Sequence, residues 1–341
     1  MKQSQPCQYV FTIHLKAQAV QPVREAVVQE VQREATIAGF RKGKAPKELV
    51  EQHHPTAIRD ETVRRLTRHV VEQVISDHKL KPVGPFEIIH LEFDEAKGMQ
   101  LEAQVEVEPD FPLGDYRRIP LKKSSIAVAA EEVAQALSRL QESMAQLVPT
   151  GQGEAKEKRV PALDDEFAKD VGFENVELLK THLEAKLREQ NTTQQQHELE
   201  QQLCDALLAR HQFELPARLV SRQTERLKRE FHARLLLAGM SEEQVQQEAT
   251  KYEEQVRTNA SRHVKLAFIV DRIAEKERLS VTQDEMMDRL WKLATRMGKD
   301  PTEVRRLLDA KGLWPSIVSS ILQEKTIAWL LSVATVERSE A

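Results

Sequence analysis

Glycine is scarce in this chain, at 11 of 341 residues, and aromatic residues make up only 5%. Those shortages argue against a glycine-rich α/β enzyme and against an all-β sandwich. The two cysteines, Cys7 and Cys204, build no disulfide framework. A cysteine-based zinc site needs more ligands than this, and the count fits a reducing compartment. Long apolar runs are missing too. The longest uncharged stretch, Gln3–Leu15, contains Gln, Ser, Pro and His. A membrane-spanning helix needs roughly 20 mostly apolar residues, and a signal peptide needs a continuous apolar centre. A cytoplasmic chain with no membrane partner is expected. Nor is there a large excess of charge of one sign. A net charge of −4 and a pI near 6.3 exclude a wholly basic nucleic-acid binder and leave room for a local basic patch.

Charge is nevertheless plentiful, at 30% of residues, and Gln, Glu, Leu, Val and Ala recur throughout. That mixture favours long helices bathed in solvent. Hydrophobic residues at 40% exclude global disorder. The length suggests roughly two domains, each able to bury a core.

Tyr9, Phe11, Ile13 and Leu15 alternate with Val10, Thr12 and His14, which predicts a strand with one strongly apolar face. Pro22 suits a first helical turn, and Val23, Val27 and Val31 follow at helical spacing, predicting a helix over 20–36. After a turn-rich break, Pro46 starts a short helix to about His54, and Pro55 starts a longer one to about Lys79. Phe86–Phe93 and Met99–Val107 read as a hairpin. In its second strand Met99, Leu101, Ala103, Val105 and Val107 share one face, and Gln100, Glu102, Gln104, Glu106 and Glu108 share the other. Residues 1–110 are thus expected to form an α+β domain of strand, helices and hairpin. Residues 111–128 hold Pro112, Gly114 and Pro120 with little periodicity and read as an extended linker.

Residues 129–341 read as an extended all-α domain. One helix is marked by Val133, Leu137, Leu140, Met144 and Leu147, followed by a polar loop over Thr150–Lys158. Helices then span Val176–His211, Ala217–Leu237, Glu242–Arg278, Gln283–Met297, Thr302–Leu308 and Leu313–Val336. Their apolar stripes are narrow, which suits a scaffold with exposed walls.

The most informative segment is Gly39-Phe40-Arg41-Lys42-Gly43-Lys44-Ala45-Pro46, which carries three cations and no acid, with Lys47 beyond it. Two glycines permit a tight exposed path. A large apolar residue in a basic turn either meets a partner or folds back onto the helices. The sequence around it favours the first. Residues 39–81 carry ten Lys/Arg against six Asp/Glu, whereas 82–110 carry Lys97 alone against eight acids. A phosphate-rich or acidic partner would be steered to the loop side.

This segment, placed between two helices of such a domain, resembles the ribosome-docking signature of the trigger factor family, bacterial nascent-chain chaperones. Val160-Pro161-Ala162-Leu163-Asp164-Asp165-Glu166-Phe167 resembles the start of the second part of that family's helical substrate-binding domain. The resemblance covers nearly the whole chain and departs in one place. The family carries an FKBP-type prolyl-isomerase domain just before the Val160 segment, and here only eleven residues separate Pro149 from Pro161. No independent domain fits between 149 and 161.

The resemblance implies an ATP-independent chaperone, not an enzyme, that docks at the exit tunnel of the large ribosomal subunit. Gly39, Phe40, Arg41, Lys42, Gly43, Lys44 and Pro46 would contact ribosomal protein and RNA there. The helical domain would hold unfolded or nascent polypeptides, with Leu236, Trp291, Trp314 and Ile317 as candidate client contacts. The bland reading makes these four residues core. No DNA partner, cofactor or metal is expected. Adjacent His53 and His54 do not share a helix face, and Asp164-Asp165-Glu166 reads as a helix cap rather than a cation site. Neither a Walker A motif nor a Gly-x-Ser-x-Gly elbow is present. The rival readings are a prolyl-isomerase foldase, a periplasmic holdase with a similar helical domain, and a nucleic-acid-binding module.

Overall fold

The alternation along Met99–Val107 becomes the centre of a four-stranded sheet. A computed structural model describes residues 2–149 and 156–338. The chain opens with β1 (Lys2–Gln5), β2 (Gln8–Lys16), α1 (Ala17–Glu34), α2 (Lys47–His53) and α3 (Pro55–Asp77). Strands β3 (Glu87–Asp94) and β4 (Gly98–Glu106) follow, in an antiparallel sheet of order β1-β2-β4-β3. The β2–β4 register pairs Phe11 with Ala103 and Ile13 with Leu101. The same-face residues Met99, Leu101, Ala103 and Val105 therefore bury together against Val20, Leu66 and Val71 of the helices. Gly98 sits at φ +110 where a Cβ would lie 1.9 Å from Leu15 O, so only glycine admits this close strand approach.

Two details differ from expectation. α1 begins at Ala17, which places Pro22 inside the helix instead of in its first turn. An interior proline costs about 3 kcal/mol, and burial of Val20, Val27 and Val28 on the same helix offsets it. β1 was not expected, because its Lys-Gln-Ser-Gln sequence is exposed throughout and has no apolar period.

The stretch read as a linker carries β5 (Pro120–Lys123). It is extended and also packed: Phe111, Tyr116, Ile119 and Leu121 are all buried. Then come α4 (Ala130–Ser143), β6 (Gln146–Pro149), β7 (Lys156–Arg159), α5 (Asp165–Asp170) and α6 (Val176–Arg210). β6 and β7 pair antiparallel, Gln146 with Arg159 and Pro149 with Lys156. Leu147 therefore lies in a strand, not in the expected helix. The expected polar loop is a strand over 156–159, and its 150–155 part lies outside the described residues. As expected, Asp164 caps α5, its carboxylate accepting from Phe167 N at 2.9 Å.

The remaining elements are α7 (Ala217–Leu237), α8 (Glu242–Lys251), α9 (Glu253–Lys276), α10 (Gln283–Met297), α11 (Pro301–Lys311), α12 (Trp314–Val333) and β8 (Thr335–Arg338). The single helix expected over Glu242–Arg278 is interrupted at Tyr252. Val336 belongs to β8, which pairs in parallel with β5.

Packing divides the chain discontinuously, which an in-order division into 1–110, 111–128 and 129–341 does not show. One compact unit joins Met1–Leu113 with His211–Ile269, and the other joins Gly114–Arg210 with Val270–Ala341. In the first, a carboxylate from the sheet holds a helix end. α7 has Pro216 before it and no cap from its own sequence. Glu106 supplies one instead: Arg218 N donates to Oε1 at 2.8 Å and Leu219 N to Oε2 at 3.2 Å. Alternation alone puts Glu106 on a solvent face, yet it is buried. Arg218 also pairs with Glu87, Arg222 donates to Val83 O at 2.8 Å, and Phe111 stacks on Phe213 at 4.0 Å.

In the second unit, side-chain amides of α6 take the place of a neighbouring strand. Gln202 accepts from Lys122 N at 2.8 Å and donates to Lys122 O at 2.9 Å, and Gln195 donates to Ser124 O. Glu277 accepts from the Tyr116 hydroxyl at 2.6 Å and from Arg117 at 2.7 Å. These bonds hold the Glu277 carboxyl below its ordinary pKa. Burial first, and Glu277 second, push the Tyr116 hydroxyl up.

Glu106→Ala removes the cap from two part-buried donors at a helix start, so the first unit is expected to lose about 1 kcal/mol. Chemical denaturation measures the loss, with accelerated hydrogen exchange at Arg218 and Leu219. Unchanged exchange at those two amides would show that the carboxylate does not hold α7.

Candidate functional site

The basic segment is held at its two ends and free at its tip. α1 ends at Glu34 with Ala35 as its cap, and Ile37 then turns into a cluster with Val27, Val28, Val50 and Ile58. Ala45 enters the same cluster eight residues later. Gln32 on α1 ties the second end down, its amide donating to Ala45 O at 2.6 Å. Pro46 then precedes the first residue of α2. Between the two anchors the chain makes two successive turns. Phe40 N donates to Ile37 O at 3.1 Å, and Lys44 N donates to Arg41 O at 2.9 Å. The third residue of each turn is a glycine with positive φ, Gly39 at +87 and Gly43 at +80. Turns of that shape need a residue that adopts φ > 0 without strain. A Cβ at Gly39 meets nothing, and one at Gly43 would lie 3.4 Å from Arg33 O, so backbone conformation rather than space requires these glycines.

The consequence is exposure of everything the turns carry. Phe40 is 42% exposed and stands outside the adjoining core cluster. Arg41, Lys42, Lys44 and Lys47 are exposed, and none of them forms an ion pair among the described residues. Of the two positions open to Phe40, tucked onto the helices or presented, it takes the second.

The platform under the loop is tied by charge pairs that the sequence patterns did not single out. Arg65 on α3 bridges to Glu30 on α1 and to Glu61 at 2.8 Å. Arg24 bridges to Glu51 at 3.0 Å and to Glu95 at 3.2 Å. The hydrogen bond from Arg65 holds the Glu30 carboxyl below its ordinary pKa, and the Glu51 carboxylate raises that of Arg24. Arg65 and Glu61 sit four apart on one helix, whereas the other three pairs are 27 to 71 positions apart and no local period reveals them.

The four candidate client contacts fall in different surroundings. Leu236, 41% exposed, lines a cleft of about 540 Å³ between α7, α8 and the start of α9. Phe231, Ala249 and Val256 supply further apolar lining, and Lys228 bridges to Glu253 across it at 2.7 Å. Leu237 beside it is 90% exposed. Trp291, on α10 in the other unit, is 57% exposed and shares a face with exposed Met287 four residues earlier. Trp314 and Ile317 are partly buried against Leu290, Ala294, Val304 and Leu308. The Trp314 indole N–H donates to Asp309 at 2.6 Å. Among the described residues no group of His, Cys, Asp and Glu is arranged to hold a metal ion, and no helix is long and apolar enough to cross a membrane.

Comparison with known proteins assigns most of the chain to one family. The family model described as bacterial trigger factor protein matches residues 1–140, and that of the bacterial trigger factor C-terminus matches 175–332. Trigger factor of Geobacter metallireducens is 24% identical over 414 aligned positions, covering 96% of this chain and 95% of the relative. That of Geobacillus thermodenitrificans is 23% identical over 416 positions, covering 96% of each. Both alignments are longer than this chain, so the relatives contain stretches with no counterpart here. A solved structure from a study of promiscuous substrate recognition by the trigger factor chaperone superposes with a TM-score of 0.55 at 19% identity. It covers 97% of this chain and 98% of that one, and shows the same fold. Only residues 141–174 lie between the two matched segments, too few for an independently folding domain. The chain belongs to the trigger factor family of chaperones, in a form without the prolyl-isomerase domain.

Proposed function

We propose that this chaperone works without ATP and without proline isomerisation, docking through the 39–46 loop near the exit tunnel of the large ribosomal subunit. There it holds newly synthesised polypeptides in the cytoplasm. The observation that carries the docking is the presented tip: an exposed phenylalanine among unpaired cations, on two turns anchored by buried Ile37 and Ala45. A solvent-facing tip of this kind contributes little to the fold, and its residue types suit a surface of phosphate and protein together.

Magnitudes favour a reversible contact. Full burial of Phe40 is worth about 2 kcal/mol, and each screened cation up to about 1 kcal/mol. Arg41, Lys42 and Lys44 steer the approach, and Phe40 orients the docked loop. Client binding is likewise weak and spread out. Exposed Leu236 and Trp291 offer partial apolar contacts on charged helices, while Trp314 and Ile317 back such a surface from the packed side. Many weak contacts release a client without a nucleotide-driven step. The chain crosses from β6 to β7 in six residues, where an isomerase domain would have to be inserted.

Co-sedimentation with ribosomes tests the docking. Combined Phe40→Ala, Arg41→Ala and Lys42→Ala is expected to weaken it by roughly 100-fold, from the energies above. The melting temperature should stay unchanged, and wild-type docking should weaken as salt shortens the Debye length. Undiminished docking of the triple variant would refute the assignment. On a proline-containing test peptide, the wild-type protein is expected to add nothing to the uncatalysed isomerisation rate. An enhancement that follows the protein through purification would overturn the non-enzymatic reading.

A further inference from the structure

The sheet of the first unit leaves one long edge without a strand partner, and a groove opens beside that edge. β3 is the outermost strand, paired to β4 on one side, and among the described residues no strand pairs with its other side. Edge strands normally carry charge or turn away, because unpaired amides and carbonyls invite another chain. Here the acids of β3, Glu87, Glu92 and Asp94, pair with Gln104, Gln100 and Gly98 on the face away from the helices, while Ile88 at 44% and Ile89 at 49% exposure stay uncovered and the ladder register shifts between Ile88 and His90. Ile88, Leu91 and Phe93 pair with the buried residues Ala103, Leu101 and Met99, so they look toward the helices. Together with Phe86 and with Val63 of α3 they floor a groove of about 530 Å³.

The rim of this groove is cationic. Arg59, Arg64 and Arg68 line it, against a single carboxylate from Asp60. Arg64 is already paired with Glu61 at 3.1 Å, whereas Arg59 and Arg68 are exposed and make no ion pair among the described residues. One groove-lining hydroxyl is also unanswered. Thr62 on the same helix donates to Ile58 O at 2.6 Å, but the buried Thr67 hydroxyl has no hydrogen-bond partner.

We propose that this groove is a polypeptide-binding site, in which an extended segment carrying both apolar and acidic residues adds to the free edge of β3. Strand addition supplies main-chain hydrogen bonds, and the two-residue period of a strand places alternate side chains over the apolar floor. Acidic residues on that same face then meet Arg59 and Arg68 at the rim, away from Glu87 and Glu92 on the opposite face of β3. A nucleic acid would answer the arginines but not the row of strand-edge amides, and this favours a peptide. The site rests on the chaperone reading only for the nature of its occupant, and it is separate from the 39–46 loop. It selects acidic over basic segments, which the dispersed apolar contacts on the helices do not.

Hydrogen exchange on the full chain tests this, with a blocked proline-free peptide repeating Thr-Val-Thr-Glu as the probe, which puts valine and glutamate on the same strand face. The peptide is expected to slow exchange of β3 amides, over residues 87–94. The variant R59E/R68E, altered only at exposed positions, should weaken binding by roughly tenfold and favour a valine–lysine peptide instead. A peptide N-methylated along one edge should lose the β3 protection. Protection confined to 228–256 or 283–336 would overturn the proposal, as would equal binding of the N-methylated peptide. So would displacement of the groove by oligouridine RNA with no peptide effect. R59E/R68E should still co-sediment with ribosomes through Phe40 and its loop, slowed in its approach because Arg59 and Arg68 belong to the cationic side, and the Phe40 triple variant should bind the peptide normally, so either reading can fail without the other.

Discussion

Everything specific about the basic 39–46 segment depends on one constraint: Ile37 and Ala45 are buried in the same small cluster, and the chain between them must double back within that span. Such a short path turns twice, and both turns take a glycine at positive φ. On that path Phe40 and its neighbouring cations are exposed. Presentation of a large apolar side chain, ordinarily disfavoured, is here imposed by the anchors. The platform resists distortion because α1, α2 and α3 are tied by Arg24 and Arg65 to carboxylates on neighbouring elements.

Elsewhere the chain compensates for thin apolar stripes with polar side chains that act as backbone. Glu106 serves as the missing helix cap for α7, and Gln202 presents an amide edge to Lys122 as a strand would. Each arrangement satisfies main-chain groups that would otherwise be orphaned where two elements meet. The helices can then keep charged outer faces, and exposed apolar residues such as Leu236, Leu237 and Trp291 are left for other uses.

What could be read from the sequence follows from the range of the interactions involved. β4 was legible because its period-two pattern is complete, and the basic loop because glycine, proline and charge are local signals. Asp164 announced its cap three residues ahead of Phe167. Glu106 was misleading for the same reason that β4 was clear: alternation assigns it to the solvent face, and only a helix more than a hundred residues later buries it. β1 has no apolar residue to betray it, and β8 continues an apolar helix into a strand because β5 waits as its partner. The break at Tyr252 leaves the helical period on either side nearly intact. Trp314 and Ile317 have the residue types of a client surface, and only the packing of α10 and α11 shows how far they are covered. The arginines of α3 look like a solvated face until the β3 edge is placed beside them.

The central claim is that loop shape, and not charge alone, makes the docking surface. The direct measurement is ribosome affinity of the double variant Gly39→Ala, Gly43→Ala, which keeps Phe40 and every cation. Each alanine at positive φ costs about 1 kcal/mol or more, so the turns should open and affinity should fall roughly tenfold or further. Thermal stability of the sheet core should change little, because Ile37 and Ala45 lie in a separate cluster from Leu66 and Leu101. Affinity equal to wild type would contradict the account and reduce the segment to a patch of positive charge.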